Sequence, residues 1–252
     1  MPEGMRPASL VERREFYKSE FNLVKVAEWF QGRSGKTKFA VIMGRHTKIF
    51  QVEYEKDRDT TIIIDEYSDL EEVRKQILDF LPEAVYYDRN VYDKNDQPVG
   101  QELAFDVDPE NITCPVHGTL AEKMKRRQGL SFCEIELDLA RQQTVGLFEY
   151  LENQFSDLQT VYSGRGFHIH VFDQKACLLS CSERIKIAAQ VKTNGFSIDT
   201  WVTEGEMRLI RLPYSLHGLV SRVAIPLKKK EIGKFNPIKN KKCIPKYLLN
   251  GA

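Results

Sequence analysis

The sequence has no apolar run near the ~20 residues that a membrane-spanning helix needs, and its first residues, MPEGMRPASLVERREFY, lack the apolar core of a secretory signal. A membrane or secreted protein is therefore not expected, and a cytoplasmic one is. Cysteine is sparse: five residues, at 114, 133, 177, 181 and 243, are an odd set without the density of a disulfide scaffold. Metal binding or simple burial is the better use for them. Net charge is only +1, so nucleic-acid binding cannot be inferred from the overall balance and must rest on local patches. Internal repeats and a linker-like stretch are also missing.

What is present is ordinary globular material, 42% hydrophobic and 29% charged over 252 residues, enough for a core without covalent staples. Ser9 and Glu12 have capping-box spacing, and Leu70, Val73, Ile77 and Leu81 share one helical face across 70–81. A further helix is expected across 141–155, through Val145, Phe148, Leu151 and Phe155, and another after the Ser180/Glu183 capping pair. Short apolar runs at 38–43, 60–65 and 84–87 read as strands, as do 101–108, the two halves of TVYSGRGFHIHVFD, MRLIRLP and SRVAIPL. Strands and helices do not alternate regularly, so a mixed-sheet α/β or α+β fold is expected rather than a doubly wound one.

Three places carry candidate chemistry. In ELAFDVD, residues two apart on a strand share a face, so Asp106 and Asp108 can hold a hard divalent cation between them. The bland alternative is a solvated strand end before Pro109. In YSGRGFHIHV, Gly164 and Gly166 permit a tight turn while Ser163, Arg165 and His168 supply donors for phosphate oxygens. A plain glycine hairpin explains the same letters, and His168 with His170 on one strand face is a third, weaker metal reading. Asp199 and His217, the latter inside RLIRLPYSLHG, complete the set, although each taken singly reads as a turn residue or a surface residue.

In this order, ELAFDVD, YSGRGFHIHV, then an aspartate followed by RLIRLPYSLHG, the sequence resembles the small catalytic subunit of archaeal and eukaryotic DNA primases, the archaeal branch more closely. RREFYKSEF, AVYYDRNVYDK and FNPIKNKKCIPKY extend the likeness over most of the chain. The resemblance implies a primase (prim-pol) fold as a single domain over 1–252, with two-metal nucleotidyl transfer from nucleoside triphosphates on a single-stranded DNA template. It implies that Asp106, Asp108 and Asp199 hold Mg²⁺ or Mn²⁺, that Ser163, Gly164, Arg165, His168 and His217 bind the triphosphate, and that a large primase subunit is the partner. A repair or mobile-element primase-polymerase that extends existing ends shares the same motifs, and a non-catalytic nucleic-acid-binding subunit is the reading from another class.

The sequence departs from that family in three ways. Only about thirty residues separate His168 from Asp199, where relatives carry a longer helical insertion, so a compact form is expected. The family's zinc knuckle, three cysteines and a histidine, is reduced within 109–140 to Cys114, His117 and Cys133 with Glu136 in the last place, which puts Zn²⁺ in question; the residues between His117 and Cys133 read as a floppy loop. Leu219 stands where relatives have a lysine, with Arg222 as a candidate substitute. The C-terminal lysines read as a solvated run with a second use as phosphate contacts.

Overall fold

The computed structural model describes residues 1–31, 37–44, 46–57, 61–64, 70–128 and 131–249. It divides into two compact units, each assembled from separated stretches of the chain: residues 1–3, 100–208 and 226–236 in the first, and 4–99, 209–225 and 237–252 in the second.

The first unit is built on a four-stranded sheet in the order Ile225–Leu227, Leu158–Tyr162, Phe167–Val171, Leu103–Val107. The last three pair antiparallel, with Asp106 opposite His168 and Phe105 opposite Ile169. Alternation puts Leu103, Phe105 and Val107 on one face with Phe167, Ile169 and Val171, all fully buried. Each such side chain contributes roughly 1.5–3 kcal/mol by leaving water. Phe235 closes against Tyr162 and Phe167 with ring centroids 4.9 and 6.2 Å away. Ala104, Asp106, His168 and His170 occupy the opposite face, so the same alternation that builds the core aims the polar groups. The helix expected across 141–155 runs from Glu134 to Leu151. It starts earlier because Glu136 caps it by accepting the Cys133 N–H at 2.8 Å, and it ends where Glu152 and the residues after it turn away.

The second unit has its own antiparallel sheet, Thr61–Ile64, Phe39–Ile42, Ala84–Asp88, Leu209–Arg211. Residues 60 and 65, the ends of one expected strand, lie outside the described residues. The helices Leu10–Ser19 and Leu70–Phe80 match their capping and periodicity signals, with the Ser9–Glu12 box formed on both sides. The pair Leu216–His217 and Arg222–Val223 makes a small hairpin in which His217 faces Arg222. Gly218 beside it is required by contact: a Cβ there would lie 2.8 Å from the Glu83 carbonyl oxygen, which accepts the Gly218 N–H at 2.7 Å.

Candidate active site

Asp106 leaves the end of the Leu103–Val107 strand half-buried. Asp108, still extended, caps the short turn Pro109–Asn111 and accepts the Glu110 N–H through Oδ1 at 3.1 Å. Proline suits the first position of that turn because its missing N–H leaves no donor unsatisfied. Asp199 caps the helix Thr200–Glu204, accepting from Trp201 N–H at 3.1 Å, while its own N–H donates to the Asp106 carbonyl at 3.0 Å. Two carboxylates 93 positions apart in sequence are thereby joined through the backbone.

Burial, then the charges of Asp108 and Asp199, push the Asp106 carboxyl well above the usual carboxylate range. Its Oδ1 is buried and has no hydrogen-bond donor among the described residues; His168 Nε2 stands 3.6 Å away. A buried, repelled, unsatisfied carboxylate oxygen is what a divalent cation relieves, so the residues fit such an ion.

The turn 163–166 lies directly on this acidic end. Gly164 has φ +102°, where a side chain would be strained, and Tyr162 donates its hydroxyl to the Gly164 carbonyl. A Cβ on Gly166 would come 2.5 Å from the Val107 carbonyl oxygen and 2.9 Å from the Asp108 Cα, so only glycine lets the two backbones touch. Ser163 is turned inward, its Oγ accepting the Gly166 N–H at 3.1 Å. Arg165 folds onto the carboxylates: Nε and Nη2 each meet Asp108 Oδ2 at 2.9 Å, and Nη2 meets Glu110 Oε2 at 2.8 Å. Burial would lower the Arg165 pKa, but Asp108 and Glu110 hold it raised, so the guanidinium stays charged. Glu110 went unnoticed in the sequence because an acid after Asp-Val-Asp-Pro looks like turn polarity; its proximity to Arg165 depends on the fold.

His168 and His170 share a face, their ring centroids 5.8 Å apart. His170 Nδ1 lies 2.6 Å from Glu102 Oε1, both residues buried, whereas His168 faces Asp106. His217, in the second unit, is buried at the head of the turn where Val220 N–H donates to its carbonyl. Arg222 does not substitute for the lysine replaced by Leu219: it is 2% exposed, with Nε donating to the Pro237 carbonyl at 2.8 Å and Nη1 to Gly4 and Ser221 carbonyls at 2.9 Å. Those backbone acceptors use it to pin the chain termini of that unit, leaving the guanidinium committed.

The knuckle residues do come together. One ligand atom each from Cys114, His117, Cys133 and Glu136 lies within 4.8 Å of the others. Cys114 Sγ is 3.4 Å from His117 Nδ1 and 3.9 Å from Cys133 Sγ, and Glu136 Oε2 is 3.9 Å from His117 Nδ1. With Zn–S near 2.3 Å and Zn–N near 2.0 Å, tetrahedral edges fall at roughly 3.5–3.8 Å, so the donors fit a zinc-sized ion. The loop expected between His117 and Cys133 is not floppy throughout. Thr119 and Glu122 form a capping box for the helix Leu120–Lys125, which delivers Lys123 into the knuckle, 2.5 Å from Glu136 Oε1 and 2% exposed. Among the described residues this is the one place where three or more such ligand atoms close up so tightly; Asp106, Asp108 and Asp199 are neighbours through charge and backbone but are not drawn onto one point.

No protein-family model matches the chain. It is 48% identical, over 99% of its length and 94% of the relative's, to an Archaeoglobus fulgidus protein described as an uncharacterized DNA primase small subunit-like protein. To the DNA primase small subunit PriS of Pyrococcus abyssi it is 29% identical over 75% of its length, spanning only 51% of that relative. Among solved structures, the polymerase domain of Mycobacterium tuberculosis ligase D in complex with DNA superposes with a TM-score of 0.54 at 14% identity, over 96% of this chain and 88% of that one, a likeness of fold. The mixed-sheet fold is thus a polymerase-domain fold, and by its nearly full-length relationship to the Archaeoglobus protein the chain belongs to the DNA primase small subunit-like family.

Proposed function

We propose that this chain is the catalytic subunit of a DNA primase, joining nucleoside triphosphates on a single-stranded DNA template. The observation that carries the reading is the junction of the acidic strand with the 163–166 turn. There Asp106 has an unsatisfied buried oxygen, Asp199 is bonded to it through the backbone, and a charged arginine is held alongside.

Asp106, Asp108 and Asp199 would hold Mg²⁺ or Mn²⁺, and bound cations would supply charge neutralisation for the attacking 3′-hydroxyl and the departing pyrophosphate. Gly166 lets the turn approach the carboxylates, so a triphosphate at the cations also lies beside Arg165. That arginine, with Gly164, Ser163, His168 and His217, is assigned to the phosphates, stabilising charge without forming a covalent bond. Within the first unit, Asp106 and His168 are fixed opposite one another on paired strands of one sheet. Cys114, His117, Cys133 and Glu136 are assigned a zinc ion, with Lys123 bracing the carboxylate from outside. The whole of 1–252 acts as one catalytic domain, paired with a large primase subunit.

The test is synthesis on a single-stranded template with Mg²⁺ or Mn²⁺, with and without a large subunit, comparing wild type with Asp106→Ala and Asp108→Ala. Synthesis that survives both substitutions sinks the mechanism. A second reading, extension of existing ends in repair, uses the same site residues. Activity confined to primed templates selects it.

A further inference from the structure

Arg165 is held by one edge. Its Nε donates to Asp108 Oδ2 at 2.9 Å, and Nη2 forms ion pairs with Asp108 Oδ2 at 2.9 Å and Glu110 Oε2 at 2.8 Å, while Nη1 has no protein acceptor among the described residues. The guanidinium fork is planar, so fixing the Nε/Nη2 edge also fixes where the Nη1 donors stand. Asp108 has little to spare: Oδ1 accepts the Glu110 N–H and Oδ2 accepts Arg165. A cation at Asp108 competes with the arginine for Oδ2. Glu110 is the anion that such competition leaves paired with Arg165, and its backbone is itself pinned by the Asp108 cap.

The geometry points to Glu110 as a positioning residue for the incoming triphosphate: it holds Arg165 by Nη2 so that the Nη1 donors stand ready for phosphate oxygens. This rests on the reading of the site as one that binds nucleoside triphosphates. A bare carboxylate near a polyanion would repel it, but Glu110 is in direct contact with the arginine, so its charge is spent there. Holding the arginine in one rotamer removes an ordering cost that the ligand would otherwise bear.

The experiment is calorimetric titration of the full chain with a non-hydrolysable nucleoside triphosphate analogue in Mn²⁺, with folding of each variant checked by circular dichroism. Glu110→Ala should bind about tenfold more weakly, the loss of one partly buried ion-pair partner of Arg165. Glu110→Gln keeps the contact without the charge and should fall between wild type and Glu110→Ala. In the Arg165→Ala background, Glu110→Ala should cost nothing further, since the group it positions is gone. In the synthesis assay the KM for nucleotide should rise while kcat holds. Unchanged or tighter binding by Glu110→Ala, or an equal loss with Arg165 already removed, overturns the assignment. Wild-type protein that binds no nucleotide overturns this and the proposed function together, whereas wild-type binding with an indifferent Glu110→Ala overturns this alone.

Discussion

The first unit holds two clusters of acid with a basic side chain beside them, and they differ in what is left unsatisfied. At the knuckle, Lys123 and Glu136 are sealed at 2% and 0% exposure, and both Glu136 oxygens are used, one by the ammonium and one by the Cys133 N–H. At the acidic strand, Arg165 forms ion pairs with Asp108 and Glu110, but Asp106 Oδ1 and Glu110 Oε2 are both buried without a hydrogen-bond donor among the described residues. A cluster whose carboxylate is satisfied in this way serves the fold, and an ion held there would be structural. One held short of satisfaction stores a demand for a cation, and that demand is what a phosphoryl-transfer site uses.

The largest effect should come from removing that demand. Asp106→Asn and Asp108→Asn should each lower template-directed synthesis by about a thousandfold, because both cation binding and charge neutralisation lie on the reaction coordinate. Initial rates at saturating nucleotide measure this, and a variant within tenfold of wild type would erase the contrast between the two clusters.

At the knuckle the expected damage is to stability instead. Glu136→Ala strips the partner from a buried ammonium and uncaps the helix Glu134–Leu151, so a loss of about 3–5 kcal/mol should appear in denaturant unfolding. Lys123→Met replaces one partner by an apolar side chain of similar length and leaves a bare carboxylate; bound zinc, measured by metal analysis, should fall with it. If Glu136→Ala unfolds at the wild-type midpoint, the knuckle is not the sealed structural cluster described.

The junction between turn and acidic strand gives a smaller, sharper test. Gly166→Ala must push Val107 and Asp108 backbone apart, and backbone cannot swing aside as a side-chain tip can. A stability loss of about 1–3 kcal/mol is expected, the usual cost of overpacking, together with lost synthesis because Asp108 and Arg165 separate. Gly195→Ala, where a Cβ meets nothing within 4 Å but φ is +88°, is the control for backbone strain without collision.

Much of this was legible in the sequence, for reasons that particular residues show. Two-residue alternation in ELAFDVD and FHIHV places Asp106 and His168 on one face, and the structure pairs them directly. Capping boxes at Ser9 and Ser180 are local and formed as read. Glu110, Lys123 and the Glu102–His170 pair were not legible, because each depends on a partner that only the fold brings near. Arg222 was misread for the same reason: an arginine near a triphosphate-binding motif looks available until its backbone acceptors are known. The helix Leu120–Lys125 inside the knuckle loop carries a local signal, the Thr119–Glu122 capping spacing, whereas the burial of its Lys123 against Glu136 depends on the fold.

The smallest effect tests the stored demand directly, through stability rather than activity. Because the folded-state pKa of Asp106 is raised by burial, Asp108 and Asp199, the folded protein keeps a proton that the unfolded chain gives up in the ordinary carboxylate range. Below that range both states are protonated and nothing is lost; as pH rises from it toward the raised value, stability falls, and above that value the full penalty stays. Asparagine resembles the protonated acid at every pH. Asp106→Asn should therefore be more stable than wild type at neutral pH by about 1 kcal/mol, some 2–4 °C in Tm for a chain of this size. The gap should close near pH 4, and Mn²⁺ should close it at neutral pH by stabilising only the protein that retains the carboxylate. Melting curves of the two proteins across pH, with and without Mn²⁺, measure all three. A gap that ignores both pH and cation would mean that Asp106 is as settled as Glu136, and the two clusters would no longer differ in kind.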